Sequence, residues 1–406
     1  MSSSSENHGG DVEGDDTTVT IEEVRETVLD HFDGSTWNVV ETALAAHATL
    51  LLDDRECFGL VVVGPSGSGK TTALRLFEDV DEVYRSDEAT PASFVTQTPD
   101  RSPEDLEEID LLPRIQHRTM LTPDLAKWFA GSTEVIQDKM ATLAQVMDGN
   151  GLTRDAGSHG QRGYTGDYGF TFMGASTPLD SRAWDVMGHT GNRFVFHEKP
   201  AVQDPDIVAD QVFSSVTYEE KLNTTSRVID DFLRDLWDAH GGYRGVEWTE
   251  DDEGVSEDVK DWVTYFAQLV RHARSPVYNG SPSGREGLPR IIATFKRLAQ
   301  AHALLYDRTE ITQEDMGVCA RVALSTMHKE RRPVLRELLN PETKNLLSAS
   351  RVKEAANISR PTALNRMKLI EKLGIGKITE GDGRDKKLLY ARDEFEWPDE
   401  VDFPIF

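Results

Sequence analysis

The run Gly59-Leu60-Val61-Val62-Val63, followed at once by Gly64-Pro65-Ser66-Gly67-Ser68-Gly69-Lys70-Thr71-Thr72, constrains the fold more than any other feature of the chain. A short apolar, β-branched run of this kind belongs to a strand buried on both faces, the habit of parallel sheets covered by helices. The eight residues Gly64 to Thr71 match G-x-x-x-x-G-K-[ST], and the apolar run before them and the helical pattern beyond supply the strand, loop and helix context that this motif requires. Its glycines let backbone N–H groups turn inward around a phosphate chain, and the helix opening near Lys70 adds its positive end. Lys70 is placed to reach the β- and γ-phosphates and the Thr71 hydroxyl to bind Mg²⁺, while Thr72 reads as structural. The loop says nucleotide binding and leaves the work done unnamed.

Around this strand the chain divides by pattern. Residues 1–18 are polar and acidic and cannot bury enough surface to order themselves. Helix-like and strand-like stretches alternate over 19–200, as in an α/β core, and 201–338 reads as helical, broken by a charged loop from Gly241 to Gly254. Short helices and a hairpin fill 339–394, and 395–406 is an acidic, proline-broken tail.

A nucleotide-hydrolysing site also needs an acid at the end of a neighbouring strand, to hold the metal's shell or orient water. Arg118 to Leu125 reads as a short strand ending in one carboxylate, Asp124, with Pro123 and Leu125 where a second acid would stand. Glu134 and Asp138 are possible substitutes, and Asp124 could instead simply cap a helix over Leu125 to Phe129. The next strand runs from Tyr168 into Ala175-Ser176-Thr177-Pro178, and Asn192-Arg193-Phe194 opens another.

Taken in order, these segments resemble the AAA+ ATPases, and most closely the minichromosome maintenance helicases and related phage and plasmid ATPases. The resemblance covers about 55 to 325. It implies that Thr177 is the polar sensor residue and that Arg193 is a finger acting on the ATP of the next subunit. The helix opening Arg290-Ile291-Ile292-Ala293-Thr294-Phe295 is similar to the family's lid helix, which makes Arg290 the second sensor. Such an arginine can be worth about 10³ to 10⁵ in rate. ATP and Mg²⁺ as cofactors and a ring of like subunits follow from the resemblance. The plain alternative for both arginines is an ordinary surface residue.

Asp148 to Asp167 carries so many glycines that it suits a hairpin or mobile loop. In the helicase family an insertion here projects into the ring's pore, which makes Arg154, His159, Arg162 and Tyr164 candidate contacts to DNA. Otherwise it is a surface loop.

From Ser350 to Ala391 the pattern is helix, turn, helix, hairpin, resembling a winged helix-turn-helix. Ser359 can cap the second helix, Pro361 suits its first turn, and Leu364, Met367, Ile370 and Leu373 face inward. Arg360, Asn365, Arg366 and Lys368 lie nearer the outside, and Arg384, Lys386 and Lys387 sit on the wing. Residues 351–393 hold 11 Lys+Arg against 6 Asp+Glu, a local +5 in a chain of −27. That contrast assigns DNA contact to this module, with a purely protein-binding wing as the alternative.

The overall charge argues against a basic coat for nucleic acid or membrane. Lysine is scarce: 15 Lys leave 29 of the 44 positive charges to Arg, a composition resembling haloarchaeal proteins. Cys57 and Cys319 show no metal or disulfide spacing, and no apolar run reaches spanning length, so a cytoplasmic protein without a membrane anchor is expected. Two functions fit: an ATPase that assembles as a ring on DNA and moves, remodels or loads, or a nucleotide-gated DNA-binding initiator or regulator with little turnover. A nucleotide-dependent signalling protein is a more distant third.

Overall fold

The computed structural model describes residues 18–404 apart from 54–55, 97–100, 157–159, 180, 191–192, 203–205, 207–208, 210–212, 249–254, 279 and 382–386. The segment 1–18, expected to be disordered, therefore lies almost wholly outside the described residues.

Five parallel strands form the central sheet: β1 (Phe58–Val63), β2 (Val83–Arg85), β3 (Thr119–Thr122), β6 (Thr171–Ser176) and β7 (Val195–Glu198), in the order β2-β3-β6-β1-β7. Between β3 and β6 the chain makes a separate antiparallel pair, β4 (Gly151–Ala156) and β5 (Gly160–Thr165). β1 is buried along its whole length between β6 and β7, so its side chains feed both faces. Phe58, Leu60 and Val62 join one core, and Val61 and Val63 join the other. The first core is covered by helices Ile21–His31 and Gly34–Ala48 and by the long helices Tyr218–His240, Glu257–Ala273, Leu288–Leu305 and Met316–Ser325. The second lies under Leu111–Ile115, Thr133–Val146 and Ser181–Thr190. The protein is thus α/β, with helices on both faces of a parallel sheet.

β7 is the edge strand beside β1, and its outward N–H groups are not left bare. Phe196 N donates to Thr326 Oγ1 at 2.9 Å and Glu198 N to Ser325 Oγ at 3.0 Å, both at the end of helix Met316–Ser325. The region expected to be all-helical also holds a two-residue pair, β8 (Val277–Tyr278) with β9 (Ser281–Pro282).

At the C-terminus β10 (Leu346–Ser348) precedes helices Ala349–Ala355 and Arg360–Leu373, and β11 (Gly376–Glu380) and β12 (Lys387–Ala391) complete a three-stranded antiparallel sheet in the order β10-β12-β11. Ser359 caps the second helix by accepting from Thr362 N, and Gly374 ends it at φ 85°, a left-handed turn that glycine adopts freely. Ala363, Met367, Ile370 and Leu373 are its buried residues, with Leu364 partly buried against the same core.

The acidic, proline-broken tail is a strap over its described length. Phe395, Trp397 and Val401 are buried, Trp397 Nε1 donates to Val401 O at 2.7 Å, and the indole packs edge-on to Tyr265 and Phe403. Acidic composition hid three apolar anchors whose burial fixes the segment across helix Glu257–Ala273.

Candidate functional site

At the C-terminal end of β1 three loops meet. Gly64 N donates to Ser176 O at 3.2 Å, tying the glycine loop to the end of β6. Leu125 N donates to Ala175 O at 2.8 Å, which draws the end of β3 to the same place. Lys199 N donates to Val63 O at 2.8 Å and anchors the end of β7. Gly64 to Thr72, Asp124 and Thr177 therefore share one end of the sheet.

The loop's glycines have separate reasons. A Cβ on Gly64 would stand 2.4 Å from Lys199 O and 2.6 Å from Ser68 Oγ, so only glycine fits. Gly67 and Gly69 hold φ of 78° and 81°, and Gly69 is the N-cap of helix Lys70–Arg75. Ser68 Oγ is buried with no hydrogen-bond partner among the described residues. Lys70 Nζ donates to Pro65 O at 3.2 Å; partial burial lowers its pKa, and the charge of Asp124 works against that fall. The Thr71 and Thr177 side chains are exposed.

Asp124 is exposed, with Oδ1 accepting from Ala126 N at 2.8 Å. The residues after it form a turn rather than the alternative helix, so the carboxylate closes a turn and keeps Oδ2 free among the described residues. Glu134 and Asp138 are exposed on helix Thr133–Val146. An exposed Thr71 hydroxyl, a free carboxylate oxygen and an unpartnered Ser68 hydroxyl fit a Mg²⁺-bound polyphosphate, because Mg²⁺ takes few protein oxygens and completes its shell with phosphate and water.

Sequence reasoning missed the group beneath this loop. Lys199 is fully buried, and its Nζ donates to Ser35 Oγ at 2.7 Å, Thr36 Oγ1 at 2.9 Å and Asp33 Oδ1 at 3.3 Å. Burial lowers its pKa and the Asp33 carboxylate raises it back in part. Nothing in the local sequence distinguishes this lysine, because its partners are more than 160 positions away.

The arginines lie elsewhere. Arg193 precedes β7, and its carbonyl would be 3.0 Å from a Cβ on Gly59, near the start of β1. Arg193 and Arg290 line one cavity of about 300 Å³, with Cys57, Asp148, Arg274 and Glu286 also on its wall. Arg193 Nη2 is paired with Asp148, while its Nε and Nη1 are buried without a partner among the described residues. Arg274, which sequence reasoning did not single out, is paired with Glu286. A six-residue strand spans about 20 Å, so this cavity and the glycine loop occupy opposite ends of the sheet. Asn192 is outside the described residues.

In the hairpin, Arg154 and Arg162 stand opposite each other across the strands. Both are held by the protein itself: Arg154 Nη2 donates to Pro91 O at 2.6 Å, and Arg162 Nη2 and Tyr164 OH donate to Asp110 Oδ2 at 2.6 and 2.7 Å. Burial would raise the Asp110 pKa, but Thr96 N–H, Tyr164 and Arg162 outweigh it and lower it. His159 lies outside the described residues. In the C-terminal module Arg360, Asn365, Lys368 and Lys387 are exposed, Arg366 is half-buried, and Arg384 and Lys386 lie outside the described residues.

Fold and site together define an α/β protein whose glycine-rich loop closes one end of a parallel sheet. No family model matches the chain, and no curated protein matches it. Among solved structures, an apo form of the NrS-1 C-terminal region is 12% identical, with 92% of this chain and 76% of that chain covered and a TM-score of 0.30. A second structure of that region is 11% identical, covering 93% and 76%, also at 0.30. Among the described residues no helix is long and apolar enough to cross a membrane.

Proposed function

We propose that the chain is an ATP-binding and ATP-hydrolysing protein of AAA+ type, resembling the minichromosome maintenance helicases, that completes its hydrolysis site between neighbouring copies and acts on DNA. The observation that carries this reading is the distribution of cations. Lys70 and Asp124 stand at one end of the sheet, and Arg193 and Arg290 share a cavity at the other. Across about 20 Å neither arginine reaches the phosphates of its own loop. Placed against a neighbouring copy, the same two side chains would meet that copy's γ-phosphate once Arg193 turns out of its pairing with Asp148.

In this reading Lys70 and the backbone of Gly64 to Gly69 hold the β- and γ-phosphates. Thr71 and Asp124 hold Mg²⁺, which neutralises charge on the phosphates. Thr177 faces the γ-phosphate from the end of β6. The C-terminal module acts as a winged helix-turn-helix, and its exposed Arg360, Asn365 and Lys368 approach DNA while Lys387 on the wing binds phosphate. The test is ATP turnover with and without single- and double-stranded DNA, in low and high salt, for the native chain and Lys70→Ala. Turnover that DNA stimulates and Lys70→Ala abolishes is expected. No turnover under any of these conditions removes the motor.

A second reading has a specific observation behind it: Asp124 stands without an adjacent acid. A nucleotide-gated DNA binder needs the loop and the winged module but little hydrolysis. Tight ATP-dependent DNA binding with negligible phosphate release would select it.

A further inference from the structure

We propose that Tyr218, at the start of helix Tyr218–His240, is the platform for the nucleotide's purine base. The proposal rests on the reading of Gly64 to Thr72 as a triphosphate site and adds where the rest of the nucleotide lies. Successive residues of an α-helix are turned by about 100°, so Lys70 and Thr72 project from nearly opposite sides of helix Lys70–Arg75. Lys70 is coupled to the charge of Asp124, which marks the side where the γ-phosphate would lie. The base hangs from the other end of the polyphosphate and must leave on the opposite side. There the Thr72 hydroxyl meets Tyr218 OH at 3.1 Å, across 146 positions of sequence.

Tyr218 has the properties such a platform needs. Its hydroxyl is fixed by Thr72, the residue is 45% exposed, and no aromatic ring stacks on it among the described residues. Val216, two positions upstream, is exposed as well. A phenol held at its polar tip on a half-exposed residue offers stacking to a base without hydrogen-bond readout, so adenine and guanine would be served alike. The pairing also explains an exposed aromatic that the packing of the helix does not use. The larger ring area of a purine favours it over a pyrimidine on such a platform, so the ligand class is a purine nucleoside triphosphate, with Thr72 orienting the ring that receives the base.

The experiment measures binding of ATP, GTP and inorganic tripolyphosphate by calorimetry, for the native protein, Tyr218→Ala and Tyr218→Phe. Loss of one stacked base is worth roughly tenfold or more in affinity. Tyr218→Ala is expected to weaken ATP and GTP by about that factor and leave tripolyphosphate unchanged, while Tyr218→Phe, which keeps the ring, stays within about threefold of native for all three. Equal weakening of ATP and tripolyphosphate by Tyr218→Ala would show that the residue acts only by propping Thr72, and overturns the proposal. So does unchanged ATP binding. A native protein that takes up neither ATP nor tripolyphosphate overturns the triphosphate site itself, and this inference with it.

Discussion

If Arg193 serves the loop of an adjoining copy, two dead variants must be able to repair each other. Lys70→Ala removes the cation at the β- and γ-phosphates. Arg193→Ala leaves that pocket intact but takes away the charge on the transferring group, at a cost of about 10³ or more in rate. Each is inactive by itself. In an assembly where one end of every sheet faces the other end of the next, each interface draws its loop from one copy and its arginine from another. Random mixing at equal amounts makes about one interface in four pair an intact Lys70 with an intact Arg193. Phosphate release should then rise from the floor to about a quarter of native, which lies hundreds of times above either variant alone. The assay holds total protein fixed and varies the ratio, and activity should trace a dome with its maximum near equal parts. Pairing Arg290→Ala with Lys70→Ala should give the same dome, because both arginines line one cavity. A mixture that never exceeds the average of its components would refute the shared site and return both arginines to ordinary structural duty.

Three further outcomes follow from single positions. Gly64→Ala forces a Cβ to 2.4 Å from Lys199 O and should cost about 1–3 kcal/mol by overpacking, whereas Gly67→Ala meets nothing within 4 Å and pays only for its positive φ; an unchanged melting temperature for Gly64→Ala would contradict the steric account. Arg162→Ala strips one donor from the buried Asp110 carboxylate and should lower stability by about 1–3 kcal/mol in denaturant titrations, an effect absent if Arg162 served only DNA. The buried cluster of His302 with Glu41 and Asp315 sets a pH window. Burial opposes the charge on His302, but its bonds to Asp315 and Glu41 win and raise its pKa above 6.5, so its stabilisation is complete below about 6.5 and lost as pH rises through the folded value. Burial likewise opposes ionisation of Glu41, yet His302 and Arg321 bring its pKa to about 2, so its contribution is present above about 4.5 and lost as pH falls toward 2. The stability difference between native and His302→Gln should peak between about pH 4.5 and 6.5 and shrink above it; a difference that grows with alkalinity would reverse the assignment.

How much of this was legible in the sequence depends on the range of the interaction. The strand Gly59 to Val63 and the glycine loop could be read directly, because burial on both faces and positive-φ glycines leave local signatures. The cap at Ser359 and the inward positions Met367, Ile370 and Leu373 were legible for the same reason. The Asp110 anchor of Arg162 and Tyr164, the Lys199 nest and the Tyr218 contact with Thr72 were not, since each joins side chains separated by tens to hundreds of positions. Arginines in a glycine-rich hairpin look free in sequence, and only folding shows a buried carboxylate waiting for one of them. The strap Phe395 to Val401 failed differently: its acids dominate the composition, while three apolar side chains decide where it lies.

The two-ended sheet also bears on assembly, and here net charge and salt pull apart. A contact that joins a loop to another copy's arginines is head-to-tail, and such contacts propagate until a rotation closes them into a ring or fails to and leaves a filament. Copies carrying −27 each repel one another, and that repulsion reaches about 10 Å at 0.1 M salt but only about 3 Å at 1 M. Added salt should therefore promote the ATP-bound assembly. The same salt would weaken the phosphate contacts proposed for exposed cations such as Lys368 and Lys387, since each such contact gives up its advantage of counterion release. Light scattering with ATP should thus show assembly increasing from 0.1 to 1 M salt, while binding of a short DNA to the isolated protomer falls. DNA retained at high salt would then require enclosure by the assembled copies, so that open-ended linear DNA escapes faster than closed circular DNA of the same sequence. A protein that stays monomeric with ATP and DNA at every salt concentration would break this argument at its first step, because the arginines at the far end of the sheet would have no triphosphate to meet.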